Sequence, residues 1–272
     1  MYGIWFNGNF HTPAGFSLSI NDLGLLRGYG LFDYFRTYHK KAFQWDWYWA
    51  RFEYSAAQMG IDKKIDKETC KSIVDQLIGQ SPGDDVAIRI LLTGGFSENS
   101  VEAAESNLFI ISEPLRTTPE SKYDTGLILE TRNYMRDMPE VKTTDYKFLL
   151  KEKKESVADD FLYCHEGFVY ELSRSNIFIV KNKTLITPTL GVLKGISRKL
   201  VLELSDKHYA IEERAVGVNE LFTADEVFTT SSTKQVLGIT QIDNRPIGNK
   251  KPGEVTLHLR SLFQAFIEEN YA

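Results

Sequence analysis

The spacing of hydrophobic positions shifts along the chain from alternation to helical period and back. Residues 2–6 alternate up to Asn7-Gly8, a pair that tolerates the left-handed angles of a two-residue hairpin, and residues 9–11 start the return strand. Residues 21–30 (NDLGLLRGYG) are glycine-rich and read as a loop feeding an aromatic-rich strand, 31–38. That strand turns at His39-Lys40-Lys41 and returns through 43–45. Asp46 then caps a helix predicted to run to about residue 59, with Trp47, Ala50, Arg51, Tyr54 and Gln58 at helical spacing. Asp66 opens a second helix to about residue 79, Pro82-Gly83 turns the chain into an apolar strand at 86–93, and 94–106 is a polar loop. A strand at 107–112 closes the first domain.

Residues 113–123 hold two prolines and no apolar period, and read as an inter-domain linker. The expected domains are therefore 1–112 and 124–272. In the second, strands are predicted at 126–131, 161–164, 168–172, 176–180 and 226–230. An amphipathic helix is expected over 144–157 with Phe148, Leu149 and Val157 inward, another from a Ser197 cap to about 207, and a third over 254–270.

Composition narrows the function classes. With 42% hydrophobic and 25% charged residues the chain has the balance of a globular protein, and a net charge of −5 argues against a general nucleic-acid binder. No apolar run approaches the length of a membrane span, and the N-terminus lacks a signal-peptide core, so a cytoplasmic location is expected. Cys70 and Cys164 lie far apart without a CxxC spacing, which fits a reducing compartment. The five histidines are isolated from one another, so no metal is predicted. The GYG at 28–30 lacks the third glycine and the strand-loop-helix order of a dinucleotide fingerprint.

The chemistry centres on Lys142, in TRNYMRDMPEVKTTDY, placed between an irregular Arg/Asp/Pro-rich run and two threonines that look like a helix start. A lysine desolvated at such a junction loses its proton readily and can condense with a carbonyl. Tyr146 would lie four residues on, along the same helical face. Glu171 ends a strand just before a serine-rich turn; pointing inward, it needs a cationic partner such as a pyridinium N–H, because an unpaired buried carboxylate is costly. Gly195-Ile196-Ser197 at a helix start and Ser232-Thr233 at a strand end offer amides and hydroxyls to an anion, and Arg51 a fixed cation for a phosphate.

In this order the motifs FNG, GLFDYFRTY, ARF, KTTDY, ELSRSNIFIV, LITPTLGVLKGISR, ADEVFTTSST and NRPIG resemble the fold-type IV pyridoxal phosphate enzymes, the class IV aminotransferases, over essentially the whole length. The resemblance implies an α+β, two-domain enzyme with a small N-terminal α/β domain and a larger C-terminal pseudo-barrel domain. It further implies pyridoxal 5'-phosphate between the domains and a homodimer. Carried over residue by residue, Lys142 is the Schiff-base lysine and proton carrier, and Glu171 pairs with the pyridine nitrogen. Tyr146 lies near the ring hydroxyl, Arg51, Ile196, Ser197 and Ser232 hold the phosphate, and Ser175 completes the cofactor-binding set.

Leu172 stands where the family usually has a glycine, and Gly94-Gly95-Phe96-Ser97 offers neither the arginine nor the histidine that grips substrate in well-known D-amino acid enzymes. Arg27 in the glycine-rich loop, which tends to reach across the dimer, and Arg89 inside an apolar strand are the replacement candidates for substrate carboxylate, with Thr233 a third substrate contact. The alternative for Arg89 is a salt bridge with an acid of a neighbouring helix. Lys234 is a further cation beside Ser232-Thr233. The favoured expectation is transamination between D-amino acids and 2-oxo acids. The alternatives are a branched-chain L-amino acid transaminase, in line with the position of Arg89, and an aminodeoxychorismate lyase, in line with the lysine-to-tyrosine spacing of KTTDY.

Overall fold

A computed structural model describes residues 1–103 and 105–272. The chain divides into two compact units: Met1–Arg116 with Val141–Asp145 and Tyr271–Ala272, and Thr117–Glu140 with Tyr146–Asn270.

The first unit contains β1 (Gly3–Phe6), β2 (Asn9–His11), α1 (Leu23–Arg27), β3 (Gly30–Tyr38), β4 (Lys41–Ala42), α2 (Trp45–Met59), α3 (Lys67–Gln80), β5 (Val86–Thr93) and β6 (Asn107–Pro114). Among the described residues its strands form one antiparallel sheet in the order β2-β1-β6-β5-β3-β4. Strand alternation sorts the side chains into two faces. Leu31, Asp33 and Phe35 of β3 share a face with Ile88, Ile90 and Leu92 of β5, and all six are sealed from solvent. Phe35 meets Trp45 and Tyr48 there, so α2 covers this face. Phe32, Tyr34, Arg89 and Leu91 lie on the other face and are only partly buried.

Several local expectations shift. The glycine-rich loop contains α1, because the Asp22 carboxylate accepts hydrogen bonds from the Gly24 and Leu25 N–H groups and Gly28 closes the turn at φ 67°. The return strand is β4, and α2 begins at Trp45 after Gln44. The buried side of α2 is Trp45, Tyr48, Trp49 and Phe52, while Ala50, Tyr54 and Gln58 of the expected series are exposed. Glu113 and Pro114 were expected in the linker; they pair with Ala87 and Val86 and so extend β6.

The second unit contains α4 (Ser121–Thr125), β7 (Leu127–Asn133), α5 (Lys147–Glu152), β8 (Asp160–His165), β9 (Phe168–Leu172), β10 (Asn176–Lys181), β11 (Thr184–Thr187), α6 (Ile196–Ser205), β12 (Ala210–Glu213), β13 (Val216–Gly217), α7 (Val218–Leu221), β14 (Glu226–Ser231), β15 (Gln235–Ile242) and β16 (Arg245–Pro246). The last helix of the chain is α8 (Glu254–Tyr271). Among the described residues the strand order is β12-β11-β10-β14-β15-β7-β8-β9-β13, with β16 on β15. The pairs β7–β8, β7–β15 and β11–β12 are parallel and the rest antiparallel. Leu129, Leu162, Leu172, Ile177, Leu237 and Ile239 are among the residues of its core.

The helix expected over 144–157 is reduced to α5, and Val157, expected inward, is fully exposed. Ser197 lies inside the first turn of α6, whose N-cap is Gly195. Strands β11, β12 and β15 had no sequence prediction. No helix among the described residues is long and apolar enough to cross a membrane.

Candidate active site

Lys142 lies in a stretch that borders β3. Thr143 bridges Leu31, the Phe32 N–H donates to the Lys142 carbonyl at 2.9 Å, and the Thr144 N–H donates to the Gly30 carbonyl at 3.0 Å. These bonds replace the helix start expected here, so Lys142 and Tyr146 do not share a helical face; Tyr146 is the residue that precedes α5. Buried Val141 anchors the segment, and the Lys142 amine lies 4.8 Å from the centroid of the Phe32 ring.

Arg89 shares that ring. Its guanidinium carbon is 5.0 Å from the Phe32 centroid and 5.2 Å from that of Tyr34, and its Nη2 donates to Glu113 Oε1 at 2.8 Å. Arg89 therefore does form a salt bridge, but its acid lies on the adjacent strand β6 and not on a helix as expected, because the sheet register brings Glu113 alongside. The two distances to Phe32, 4.8 and 5.0 Å, place amine and guanidinium carbon no more than 9.8 Å apart. Burial, and then the charge of Glu113, raise the pKa of the Tyr34 phenol.

Arg51 extends from α2 to the covered face of the sheet, where its Nε and Nη2 donate to the two oxygens of Asp33 at 2.9 and 2.6 Å. An acid of β3 is thus the partner of the arginine expected to face a phosphate. Arg27, at the end of α1, donates from Nε to the Ser100 carbonyl and is exposed. Asp22, fully buried, ties α1 to the sheet by accepting from Thr93 Oγ1 and Asn107 Nδ2.

In the second unit Glu171 does point inward, and its cationic partner is Arg136. Nε and Nη2 of Arg136 lie 2.8 and 2.6 Å from Glu171 Oε1, while the Leu193 N–H donates to Oε2 at 3.0 Å. Leu172 is part of the core and is absent from the residues with positive φ, so the glycine it replaces is not required by the local backbone. Asn176 donates to the Leu193 carbonyl, and its Oδ1 approaches Gly195 so closely that a Cβ there would lie 1.9 Å away. The turn entering α6 is held in this way. Just inside it, Ser197 Oγ is buried and has no hydrogen-bond partner among the described residues. A buried hydroxyl without a partner at the start of a ten-residue helix fits an anion.

Ser232 and Thr233 form the turn between β14 and β15, secured by the next residue. Lys234 donates through its N–H to Ser231 Oγ at 3.1 Å, and through Nζ to Asp160 Oδ2 at 2.9 Å and Ser175 Oγ at 3.2 Å. Burial disfavours the Asp160 anion, but Lys234 and the Ser173 hydroxyl outweigh it and lower its pKa. Ser175 is thus engaged by Lys234. Tyr146 packs with Leu149, Phe161 and Tyr163.

The sequence reading missed Asp33, Glu113, Arg136 and Asp160, each of which holds a residue it had singled out or had noted beside one. Only the Arg/Asp/Pro-rich run around Arg136 carried any signal.

Residues 30–242 match the family model for amino-transferase class IV. The chain belongs to that family. It is 29% identical over 271 residues to a D-alanine aminotransferase of Bacillus licheniformis, spanning 96% of this chain and 95% of the relative. Among solved structures it superposes on the T.th. branched-chain amino acid aminotransferase with pyridoxamine 5'-phosphate at a TM-score of 0.89, with 26% identity, 96% of this chain and 92% of that one. The Escherichia coli branched-chain amino acid aminotransferase shares the fold at a TM-score of 0.91 and 20% identity, covering 99% of this chain and 94% of that one. As a class IV aminotransferase the protein works with pyridoxal 5'-phosphate and moves an amino group between an amino acid and a 2-oxo acid. Within the second unit, a buried carboxylate and a buried hydroxyl that has no hydrogen-bond partner among the described residues at a helix start are groups that fit this cofactor.

Proposed function

We propose that this aminotransferase acts on D-amino acids and 2-oxo acids, with Arg89 as the principal cation for substrate carboxylate. The observation that carries the role of Arg89, for either enantiomer, is the Phe32 ring, which has the Lys142 amine and the Arg89 guanidinium within about 5 Å of its centroid. An amino acid presents its amino and carboxylate groups on one carbon, so the group that reacts and the group that binds it must lie near each other. Similarity to D-alanine aminotransferases supports the D preference. Arg27 is assigned as the second carboxylate contact and Thr233 as a neighbour of the substrate.

Pyridoxal 5'-phosphate supplies an electron sink when bound. Lys142 would hold it covalently through Nζ, and the Lys142 amine would take the proton from the substrate α-carbon. Glu171, aligned by Arg136 and the Leu193 N–H, would hold the pyridine nitrogen protonated, and Tyr146 would serve the ring hydroxyl. Ile196 N–H, Ser197 and Ser232 would donate to the phosphate. Arg51, oriented by Asp33, adds positive charge there, and Ser175 supports the phosphate turn through Lys234. A cytoplasmic homodimer completes the proposal.

Branched-chain L-amino acids are the second reading, favoured by the likeness to the T.th. branched-chain enzyme. Mixing the holoenzyme with D-alanine, D-glutamate, L-leucine or L-glutamate, without a 2-oxo acid, tests the choice. Loss of the visible cofactor absorbance with the D-amino acids is expected; loss with L-leucine alone would overturn the proposal.

A further inference from the structure

Among the described residues, Arg89 makes one side-chain hydrogen bond, from Nη2 to Glu113. Nε and Nη1 make no hydrogen bond among the described residues, but either edge on which a guanidinium grips a carboxylate with two parallel N–H groups, Nε with Nη2 or Nη1 with Nη2, uses the nitrogen that Glu113 holds. Two rings already fix the guanidinium, Phe32 at 5.0 Å and Tyr34 at 5.2 Å, so Glu113 is not needed to keep it in place. What Glu113 adds is a negative charge on the same cation. The register explains why it arrives there: Arg89 opposes Tyr34 and Ile111, and Glu113, opposite Ala87, sits one alternation along the same face.

We infer that Glu113 is a positioning residue that limits how tightly Arg89 holds carboxylates, so that the amino acid and the departing 2-oxo acid compete with a resident anion for the same guanidinium. This rests on the assignment of Arg89 to substrate carboxylate. The balance of effects favours competition over orientation. Side-chain exposures of 32% for Arg89 and 20% for Glu113 leave the pair open to solvent and to exchange, so a substrate can share the arginine without burying an unpaired glutamate. Replacement by glutamine keeps an acceptor for Nη2 and removes the charge; alanine removes both.

The test uses propionate, a carboxylate with neither amine nor oxo group, titrated into the holoenzyme and followed through the cofactor's visible spectrum. Glu113→Gln is expected to bind propionate about two- to fivefold more tightly than the parent, the size of effect a partly exposed pair supports. Glu113→Ala, which frees Nη2 as well as removing the charge, should bind propionate at least as tightly as Glu113→Gln. In steady state, KM for the 2-oxo acid should fall in Glu113→Gln while kcat does not rise, the pattern of uniform binding and not of a structural defect. Adding Glu113→Gln to Arg89→Ala should change propionate affinity no further. Unchanged or weaker binding in Glu113→Gln overturns the inference, as does an equal gain without Arg89. If Arg89→Ala alone leaves propionate affinity unaltered, the carboxylate assignment itself fails and this inference falls with it.

Discussion

Arg136 holds the buried carboxylate of Glu171 from one side, 2.6 Å from Nη2 to Oε1, while the Leu193 N–H holds the other oxygen at 3.0 Å. The acid assigned to the cofactor's ring nitrogen is thus aligned by groups of its own unit. Arg136→Met should leave that charge poorly compensated and cost about 3–5 kcal/mol of stability, the usual penalty for removing one partner of a buried pair. Urea unfolding measures it. Glu171→Gln in the same assay should cost less, because an amide needs no counter-charge.

Arg51 and Asp33 allow two roles to be separated. Asp33 has a side-chain exposure of 1%, so Arg51→Ala should destabilise the protein by about 3–5 kcal/mol through the stranded carboxylate. The double change Arg51→Leu with Asp33→Asn should return much of that stability. Cofactor affinity, measured by equilibrium dialysis, should stay low in the double variant if Arg51 also serves the phosphate.

Asp160 sets a pH dependence. Its pKa is lowered in the folded protein, so its contribution to stability is fully present above the unfolded value of about 3.9 and is lost as pH falls through the lower folded value. Thermal midpoints measured from neutral pH down into that range should fall less steeply in Asp160→Asn than in the parent. Lys234→Met should be destabilising at neutral pH and should loosen the Ser232-Thr233 turn, read as faster cofactor dissociation.

Lys142→Ala should reduce transamination by at least about 10²–10⁴-fold, the usual share of a positioned acid–base group, and abolish borohydride trapping of the cofactor on the chain. Trapping at another lysine, located by peptide mass mapping, would contradict the assignment.

Leu172→Gly, which introduces the glycine that the family resemblance leads one to expect here, should be harmful. The leucine is buried in the core of the second unit, so truncation should cost about 3–5 kcal/mol in chemical unfolding.

Local signals were read well where they were strong. Asn7-Gly8 turned the first hairpin, Asp66 capped α3, and the apolar runs of β3, β5 and β6 were visible as strands. Helix α1 was hidden because five residues carry too little periodicity, and its stability comes from Asp22, whose partners Thr93 and Asn107 are distant in sequence. The inward face of α2 was not legible because aromatic residues occupy both sides of that helix, and only burial against Phe35 decides it. The helix predicted after Lys142 failed because β3 offered backbone partners that a local pattern does not contain.

By itself the sequence determined the family, the order of motifs, and which lysine and glutamate to watch, because these depend on residue identity at fixed spacing along one chain. The tertiary structure alone decided that Asp33 holds Arg51, Glu113 holds Arg89, Arg136 holds Glu171 and Lys234 holds Asp160. Each pair joins residues at least 18 positions apart, and partially or fully buried charges take whichever opposite charge the packed strands bring within reach.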